Sequence, residues 1–588
     1  MLLPLLLLSA CDADKPAPER SPRCDASVEL CNGVDDDCDG QIDEDAADAS
    51  AWFADLDGDG FGAGASVTVC PGAGWAADAT DCDDTDVATF PGAEDVRFDA
   101  VDQDCDGADR DCTDAGAVYT GTLSTGDADY AGFCDAYARI DGDLRVDAAT
   151  TDLTPLACLC EVTGTVEIYD NPGLTTLDGL GGLARAHSLQ ILRARALTSL
   201  EGLTSLRSLD SLYVGESRSL ARLGGMRLHG EMAYVRILSS PVTDLAGLDD
   251  VDTIATLELD DLPALTSVDG LDAVVSIEDA ELIDLPVLAN LDGLRSLTVA
   301  GTLAFHRLDA LADVEGLAAL LSVDSFTLAT APRLASLAPM TSLRRLGVVA
   351  LYWNDTLADI TPLAAIPATD ASVYLVDNPL LADLSPLDGL SQAALLTISG
   401  NAVTSIAPLW NLGSVDELVL AEAVVDLSPL GRLYAAEHLE LHGTAATDLT
   451  GLGGLARVDT LVLDGNPNLA DLSALSNVQV DAVALYDNDA LTDLTGLVGV
   501  RGGVTRSLEL LGNDALVTLD GLGTFGELAN LMITDNTVLA DVSALDALTT
   551  VQDNLYVTGN PALPANDVAD WCARYQPLGY CEIEANGP

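Results

Sequence analysis

Three stretches of the chain space aspartates two residues apart and close on a glycine: Asp35, Asp37, Asp39 with Gly40; Asp55, Asp57, Asp59 with Gly60; and Asp102, Asp104, Asp106 with Gly107. Alternate carboxylates on a tight loop converge on one point, and the glycine permits the turn that brings the next carbonyl (Gln41, Phe61 or Ala108) toward it. Oxygen-only ligation is the chemistry of a hard divalent cation, Ca2+ above all. A fourth cluster, Asp81-Cys82-Asp83-Asp84-Thr85-Asp86, has similar density without the glycine. None of the three loops has Glu at its twelfth position, where Ala46, Ser66 and Thr113 fall, so these are not complete EF-hand loops. Further donors must come from elsewhere, such as Asp43, Glu44 and Asp45 after the first loop and Asp109 and Asp111 after the third. The expected ligands are Asp35, Asp37, Asp39, Asp43, Asp55, Asp57, Asp59, Asp81, Asp83, Asp102, Asp104 and Asp106.

Residues 24–112 hold 26 Asp and Glu against two Arg, more like-charge repulsion than a small segment tolerates without counter-ions. A transition metal fits less well, because this stretch has no His or Met and its cysteines can pair with one another. A merely acidic, solvated segment is the bland alternative. Of the 13 cysteines, setting aside Cys11 leaves an even number, which suits disulfides in an oxidising compartment. Cys31, Cys38, Cys70, Cys82, Cys105 and Cys112 are candidates in the acidic stretch, and Cys572 with Cys581 at the far end. Between Cys160 and Cys572 there is no cysteine at all.

The charge of the whole chain narrows its partners. At a formal −70, with Lys15 the only lysine and the arginines scattered, no basic footprint exists for nucleic acid or an anionic membrane surface. The five histidines show no zinc-protease spacing, and no glycine-rich run has the strand-to-helix setting of a nucleotide site. An enzyme is not expected. At 48% apolar residues most of the chain should fold, with few aromatics to build the core.

What positions these groups is a repeat. An apolar pair of the form Leu-x-x-Leu, usually with Gly or Pro before the second Leu, recurs with first residues from Leu153 and Leu177 through Leu291 and Leu384 to Leu519 and Val542. These 18 anchors lie 21 to 25 residues apart. Between them sit short alternating runs such as Val166-Glu167-Ile168, Leu461-Val462-Leu463 and Leu555-Tyr556-Val557, which predict one strand per coil. Three residues beyond the second strand aliphatic an asparagine is frequent (Asn171, Asn354, Asn378, Asn401, Asn466, Asn488, Asn513, Asn536, Asn560), and a stack of them can satisfy backbone groups where each strand turns away. Positions 194, 262, 285, 308, 331 and 423 carry Ala or Leu, so the ladder should be interrupted there.

Three resemblances follow. Leu8-Ser9-Ala10-Cys11, after a short apolar run, resembles the lipobox of bacterial lipoproteins, which implies export and acylation of Cys11. Glu29-Leu30-Cys31-Asn32-Gly33-Val34-Asp35-Asp36-Asp37-Cys38-Asp39-Gly40, followed by Asp81-Cys82-Asp83-Asp84 and Pro91-Gly92-Ala93-Glu94, resembles the MopE-type metal-binding motif of secreted bacterial proteins. Its last copy departs from the pattern, with Arg97-Phe98-Asp99 where a Cys-Asn-Gly triplet is usual, which points to Cys105 pairing with Cys112. The repeats resemble leucine-rich repeats, receptor L-domain-like in the early coils and internalin-like at Leu384-Ser385-Pro386-Leu387 and Leu427-Ser428-Pro429-Leu430. That resemblance implies an α/β-type repeat solenoid dominated by parallel β, curved, with a sheet on the order of 85 Å long at about 4.8 Å per strand.

The expected organisation is a signal peptide over 1–10, a Pro-rich tether over 11–23, the acidic region over 24–112, a linker over 113–133, the solenoid over 134–564 and a disulfide cap over 565–588, with a short helix around Val568 to Tyr575. The concave face of the sheet is the default binding surface, with Tyr169, Tyr213, Arg236, Tyr352, Tyr374, Tyr486 and Tyr556 pointing outward along with His306 and His442. The expected function is a cell-surface binding or adhesion protein of the bacterial envelope, exported and lipid-anchored, probing a protein or glycan ligand from a calcium-stabilised stalk. The alternative is a structural calcium-binding envelope component; clustered outward aromatics would favour the first and a uniformly acidic face the second.

Overall fold

The computed structural model describes residues 28–37, 39–93, 101–107, 112, 117–500, 507–522, 526–584 and 586–587. The chain forms two units, one up to Asp111 and one from Cys112 onward. The expectations for Cys11, the signal peptide and tether, Cys38, Ala108, Asp109 and Asp111 lie outside the described residues.

The first unit has almost no apolar core. Among its described residues only Ala46 and Ala76 are buried hydrophobics, whereas Val28, Leu30, Val34, Ile42, Leu56, Val87 and Val101 are exposed. Its regular structure is a hairpin of β1 (Ser50–Ala54) and β2 (Ala63–Val69), antiparallel, with β3 (Trp75–Ala76) on the other edge of β1. Stacked Phe61 and Phe90, 5.5 Å between centroids, add one aromatic contact. Two disulfides, Cys31–Cys70 and Cys82–Cys105, supply the cross-links that burial does not.

The second unit is a leucine-rich-repeat solenoid. From β8 (Glu161–Tyr169) to the strand Thr550–Thr558, every coil contributes a strand that pairs in parallel with those of its neighbours. Along each strand two aliphatics face in and their neighbours face out. Val166, Leu189, Leu212 and Val235 share one register row, and Ile168, Ile191, Val214 and Ile237 the next; all are at most 1% exposed. The anchors close the core from the other side: Leu177, Leu200, Leu291 and Leu494 are fully buried. The sheet is open, since among the described residues the last strand, Cys581–Glu584, pairs only with Thr550–Thr558.

The sheet starts earlier than the sequence suggests. β4 (Ala117–Thr120) and β5 (Leu123–Ser124) run parallel to β6 (Tyr137–Asp141) and β7 (Leu144–Val146), so residues 117–133 belong to the first coil rather than to a linker. Leu123 and Phe133 are wholly buried there, and a stretch carrying no Leu-x-x-Leu anchor hid this. Two disulfides clasp this end. Cys112 bonds Cys160, and Cys134 bonds Cys158. The expected Cys105–Cys112 bond is therefore corrected: Cys105 is taken by Cys82. The C-terminal end closes with Ala565–Val568, Trp571–Tyr575 and the Cys572–Cys581 disulfide, and the terminal strand extends the sheet by one more step.

The asparagines form a hydrogen-bonded ladder. Asn488 donates through Nδ2 to Leu463 O (2.8 Å) and Tyr486 O (3.0 Å), while its Oδ1 accepts from the Asn466 backbone N–H (3.3 Å) and Asn466 Nδ2 (3.1 Å). The pattern continues through Asn513, Asn536 and Asn560 to Asn586 beyond the last strand. Ser217 and Ser240 fill the same slot in early coils, the Ser217 hydroxyl accepting from Ala194 N and the Ser240 hydroxyl from Ser217 N. In the coil after Asn401 the slot belongs to Glu422, not Ala423. Its Oε1 accepts from Asn401 N (2.6 Å) and Asn401 Nδ2 (2.9 Å) because that coil is one residue shorter at the turn. Burial raises the Glu422 carboxyl above its ordinary value.

The glycine that precedes the second leucine of an anchor is a spacing device. A Cβ at Gly316 would lie 1.7 Å from Leu291 O, and one at Gly451 1.7 Å from Leu427 O, so coils approach there backbone to backbone. Gly316→Ala is expected to lower stability by about 1–3 kcal/mol, because the backbone behind it cannot yield as a side chain would. Gly389→Ala, where nothing lies within 4 Å, should leave the urea unfolding midpoint unchanged or raise it. Equal midpoints for the two variants would contradict the close approach.

Candidate metal centre and binding face

Each Asp-x-Asp-x-Asp-Gly loop is wound by its own carboxylates. In the second, Asp55 Oδ1 accepts from Gly58 N (2.7 Å), Asp57 Oδ1 from Asp59 N (3.2 Å) and Asp59 Oδ1 from Phe61 N (2.8 Å). One oxygen of each side chain thus holds the turn, and ligand oxygens of all three lie within 4.8 Å of one another. Gly58 and Gly60 have φ of +85° and +100°, which an L side chain rarely adopts. The hairpin of β1 and β2 fixes the two ends of this loop. Below it, Asp81 N donates to Gly62 O (3.1 Å) and Asp84 Oδ1 accepts from Leu56 N (2.9 Å), so the fourth acidic cluster folds against the second loop.

This juxtaposition leaves charge without a partner. Asp57 Oδ2, Asp59 Oδ2 and Asp81 Oδ2 are buried and receive no hydrogen bond. Desolvation, and then Asp59, Asp55 and Asp84, hold the Asp57 carboxyl above its ordinary value; desolvation, then Asp59, Asp57 and Asp84, do the same to Asp81. Asp57 and Asp59 belong to the convergent loop cluster and Asp81 is close enough to be repelled by both, so a cation would relieve what these orphaned oxygens lack. Asp83 Oδ1 accepts from the Thr85 N–H (3.3 Å) and hydroxyl (2.6 Å), and it is Asp84 that bonds the second loop, at Leu56 N.

The first loop has the same construction, with Gly40 N on Asp35 Oδ2 (3.1 Å), Asp39 N on Asp37 Oδ1 (3.0 Å) and Gln41 N on Asp39 Oδ1 (3.0 Å). Its outside donors are Glu29 and Glu44, which converge with Asp37; Glu29 Oε1 accepts from Asp37 N (2.7 Å), and Glu29 Oε2 and Glu44 Oε2 are buried without a donor. Asp43, expected as a ligand, is used by the backbone, accepting from Asn32 N (3.0 Å) and Gly33 N (2.9 Å). Glu29 lies six residues before the loop, where no loop motif would search for it. The third loop brings Asp102, Asp104 and Asp106 together, and Asp102 accepts from Asp106 N (3.0 Å) and Gly107 N (2.7 Å). Cys82–Cys105 joins the fourth cluster to this loop, so neither sulfur is a thiolate available to a metal.

On the solvent side of the sheet the expected binding residues separate into two rows. Tyr213, Arg236, Tyr374 and Tyr556 occupy the position between the two buried aliphatics, and Tyr169, Tyr352 and Tyr486 the position after the second. Several are committed to neighbours. Arg193 lies over Tyr169 at 4.3 Å, Arg236 lies over Tyr213 at 5.3 Å and bonds Glu258 at 2.9 Å, and Tyr486 hydrogen-bonds Glu509. His438 and His442 share one strand, beside Glu440 and Asp464 respectively.

Tyr352 and Tyr374 differ, because they meet at 6.1 Å and are joined by Trp353, 5.6 Å from Tyr352. The alternation had not marked Trp353, which follows the strand. Around them lies a window without charge. In the strands Val299–His306, Ser322–Ala329, Arg345–Tyr352, Ala371–Val376 and Gln392–Ser399, the last three outward positions read Thr302, Ala304, His306; Ser325, Thr327, Ala329; Val348, Ala350, Tyr352; Ser372, Tyr374, Val376; and Leu395, Thr397, Ser399. The next strand toward the N-terminus places Asp279 and Glu281 in these rows, and toward the C-terminus Glu417 appears. Burial holds the His306 imidazole below its ordinary value, which keeps it neutral near neutral pH.

Comparison with known proteins finds one matching family model and a set of similar solved structures. Residues 24–44 and 81–111 match the Cu-binding MopE family, a metal-binding motif. Among solved structures, an internalin of Listeria monocytogenes is 19% identical, covering 58% of this chain and 86% of its own, with a TM-score of 0.30. A leucine-rich-repeat protein of Leptospira interrogans is 14% identical, covering 77% of this chain and 91% of its own, with a TM-score of 0.29. No curated protein matches.

The raised carboxyls make a signed prediction. The metal-free folded unit binds protons more tightly at Asp57 and Asp81 than the unfolded chain does. Its stability is therefore fullest below the ordinary carboxylate value of about 3.9 and falls as pH rises through the raised values. With chelator present, limited proteolysis of the full chain should cut within residues 28–107 faster near neutral pH than at about pH 4. Millimolar Ca2+ should restore resistance near neutral pH. Resistance that is independent of both pH and cation would contradict the orphaned-oxygen reading.

Proposed function

We propose that this is a non-enzymatic binding protein of the bacterial cell surface: exported, anchored through an acylated Cys11, its acidic segment held by calcium, and its leucine-rich-repeat sheet offered to a protein or glycan. One observation carries the reading. In a chain with a net charge of −70, five consecutive strands leave their last three outward positions uncharged, and half-buried Tyr352 and Tyr374 gather there beside exposed Trp353. A purely structural envelope component has no need of such a window, whereas a recognition face needs somewhere to exclude water around aromatic anchors.

Calcium rather than copper is proposed for the acidic unit because its convergent groups are carboxylates, except for Cys82 and Cys105 beside Asp81, and those sulfurs, like its other described cysteines, are held in disulfides. Among the described residues no helix is long and apolar enough to cross a membrane, so attachment falls to the lipid on Cys11 in this proposal.

Two measurements test it. Isothermal titration of the full chain with Ca2+ should give heat that is reduced, with fewer ions bound, in the Asp57→Asn, Asp81→Asn double variant, while Cu2+ gives none at these sites; the opposite preference overturns the calcium assignment. For the binding face, the labelled full chain on glycan arrays and intact cells should lose about tenfold in binding when Thr327→Glu and Ala350→Glu place charge in the window. Native chain that binds neither would favour the structural alternative.

A further inference from the structure

We propose that Tyr352, Trp353 and Tyr374 form a stacking platform for an uncharged glycan, a polysaccharide whose sugar rings lie against the aromatic faces. This rests on the reading of the outward sheet face as the binding surface, and it names the ligand class.

Trp353 is the central observation. It is 56% exposed, although its indole N–H is already donated to Asp377 Oδ2 at 3.0 Å. The polar edge of the ring is thus fixed, and its broad apolar face is left to solvent. The residue sits at φ +56°, at the left-handed position that follows each strand, which other coils fill with side chains as small as Ser239 and as large as Arg193 and Arg307. Among the described residues at that position tryptophan is the one aromatic, and it stands more than half exposed beside two tyrosines.

The floor beside the rings is flat. Ala329, the register partner of Tyr352, is 7% exposed, and Ala350, the partner of Tyr374, is 6% exposed. The rings therefore stand above a shelf of methyl groups, which suits a planar ring laid across it better than the deep insertion of a protein anchor residue. Around the shelf the available polar groups are hydroxyls and the exposed Asp377 carboxylate. Hydroxyls and a carboxylate can accept and donate to a sugar's hydroxyl groups without demanding a charge on it.

Charge selects among glycans and against the protein alternative. At −70 the chain repels an anionic polysaccharide at long range. A cationic protein would be drawn to the acidic rows on either side, at Asp279 and Glu281 or at Glu417, rather than to the uncharged rows between them. A neutral chain of sugars is the occupant for which the window offers contact area, with the Asp377 carboxylate at its edge left to accept from a sugar hydroxyl.

The test is affinity gel electrophoresis of the full chain in gels containing a neutral β-glucan, a neutral mannan, glycol chitin or alginate. At least one of the first three should retard the native chain, and alginate should not. Trp353→Ala should weaken that retardation about tenfold. Trp353→Phe, which keeps a ring, should restore part of it, and Trp410→Ala, an exposed tryptophan on the Ala407–Asn411 segment, should leave it intact. Circular dichroism and the unfolding midpoint confirm that each variant is folded. No retardation by a neutral polysaccharide, equal retardation of Trp353→Ala and the native chain, or retardation by alginate alone would overturn the platform. If the native chain binds cells through a window that Thr327→Glu and Ala350→Glu abolish, yet no neutral polysaccharide retards it, the glycan assignment falls and the binding face stands. Binding to nothing at all removes both.

Discussion

A coil of about 23 residues cannot enclose its own leucines; it presents them on two flat sides, and only the coils before and after can cover them. That constraint organises the second unit. Parallel pairing brings identical positions into rows, so a buried aliphatic meets a buried aliphatic for the length of the sheet. It also creates a row of turning backbone groups that water cannot reach. The asparagine ladder answers this by giving each amide a carbonyl of the preceding coil and an acceptor in the next. An unsatisfied buried group of that kind costs about 1–3 kcal/mol, which makes the slot sensitive to what fills it. The ends, having one neighbour each, are closed covalently by Cys112–Cys160, Cys134–Cys158 and Cys572–Cys581.

The first unit solves the opposite problem. With almost no buried apolar side chain, it cannot be held by the hydrophobic effect, and its carboxylates repel one another. In the second loop that repulsion becomes geometry: one oxygen of Asp57 and of Asp59 closes a turn, and the other is buried without a donor. Protons or a cation would relieve that repulsion. The acid content of the second unit is different in kind, since aspartates such as Asp383, Asp426 and Asp541 accept from the Ser two residues on and start the short helical turns after each anchor. Those bonds hold the Asp426 and Asp541 carboxyls below their ordinary value.

Periodic features were legible from the sequence because periodicity is what stacking demands. The anchors from Leu153 to Val542, the inward rows and the solenoid itself follow from spacing alone. What escaped depends on contacts between residues distant in sequence or on a break in the period. Glu422 fills the ladder slot because one coil is a residue short, which a fixed offset of three assigns to Ala423. Glu29 and Asp84 reach loops that do not contain them, whereas Asp43 and Asp83, closer to the motif, are drawn to nearby backbone and hydroxyl donors. Cys112 finds Cys160 across 48 residues, and the first coil lacks an anchor to announce it. Trp353 lies one residue past the alternating run, so the outward rows read from the strands omit the aromatic that gathers Tyr352 and Tyr374.

All functional statements about the sheet face assume one uninterrupted stack of coils, because only that places residues 23 apart side by side. Hydrogen exchange of the full chain, resolved by peptide, measures it directly. Continuous stacking predicts protected amides recurring once per coil from Glu161–Tyr169 to Thr550–Thr558, strongest in the middle and weakening toward both ends. Protection confined to separate blocks, or without that recurrence across Val299–Ser399, would contradict it.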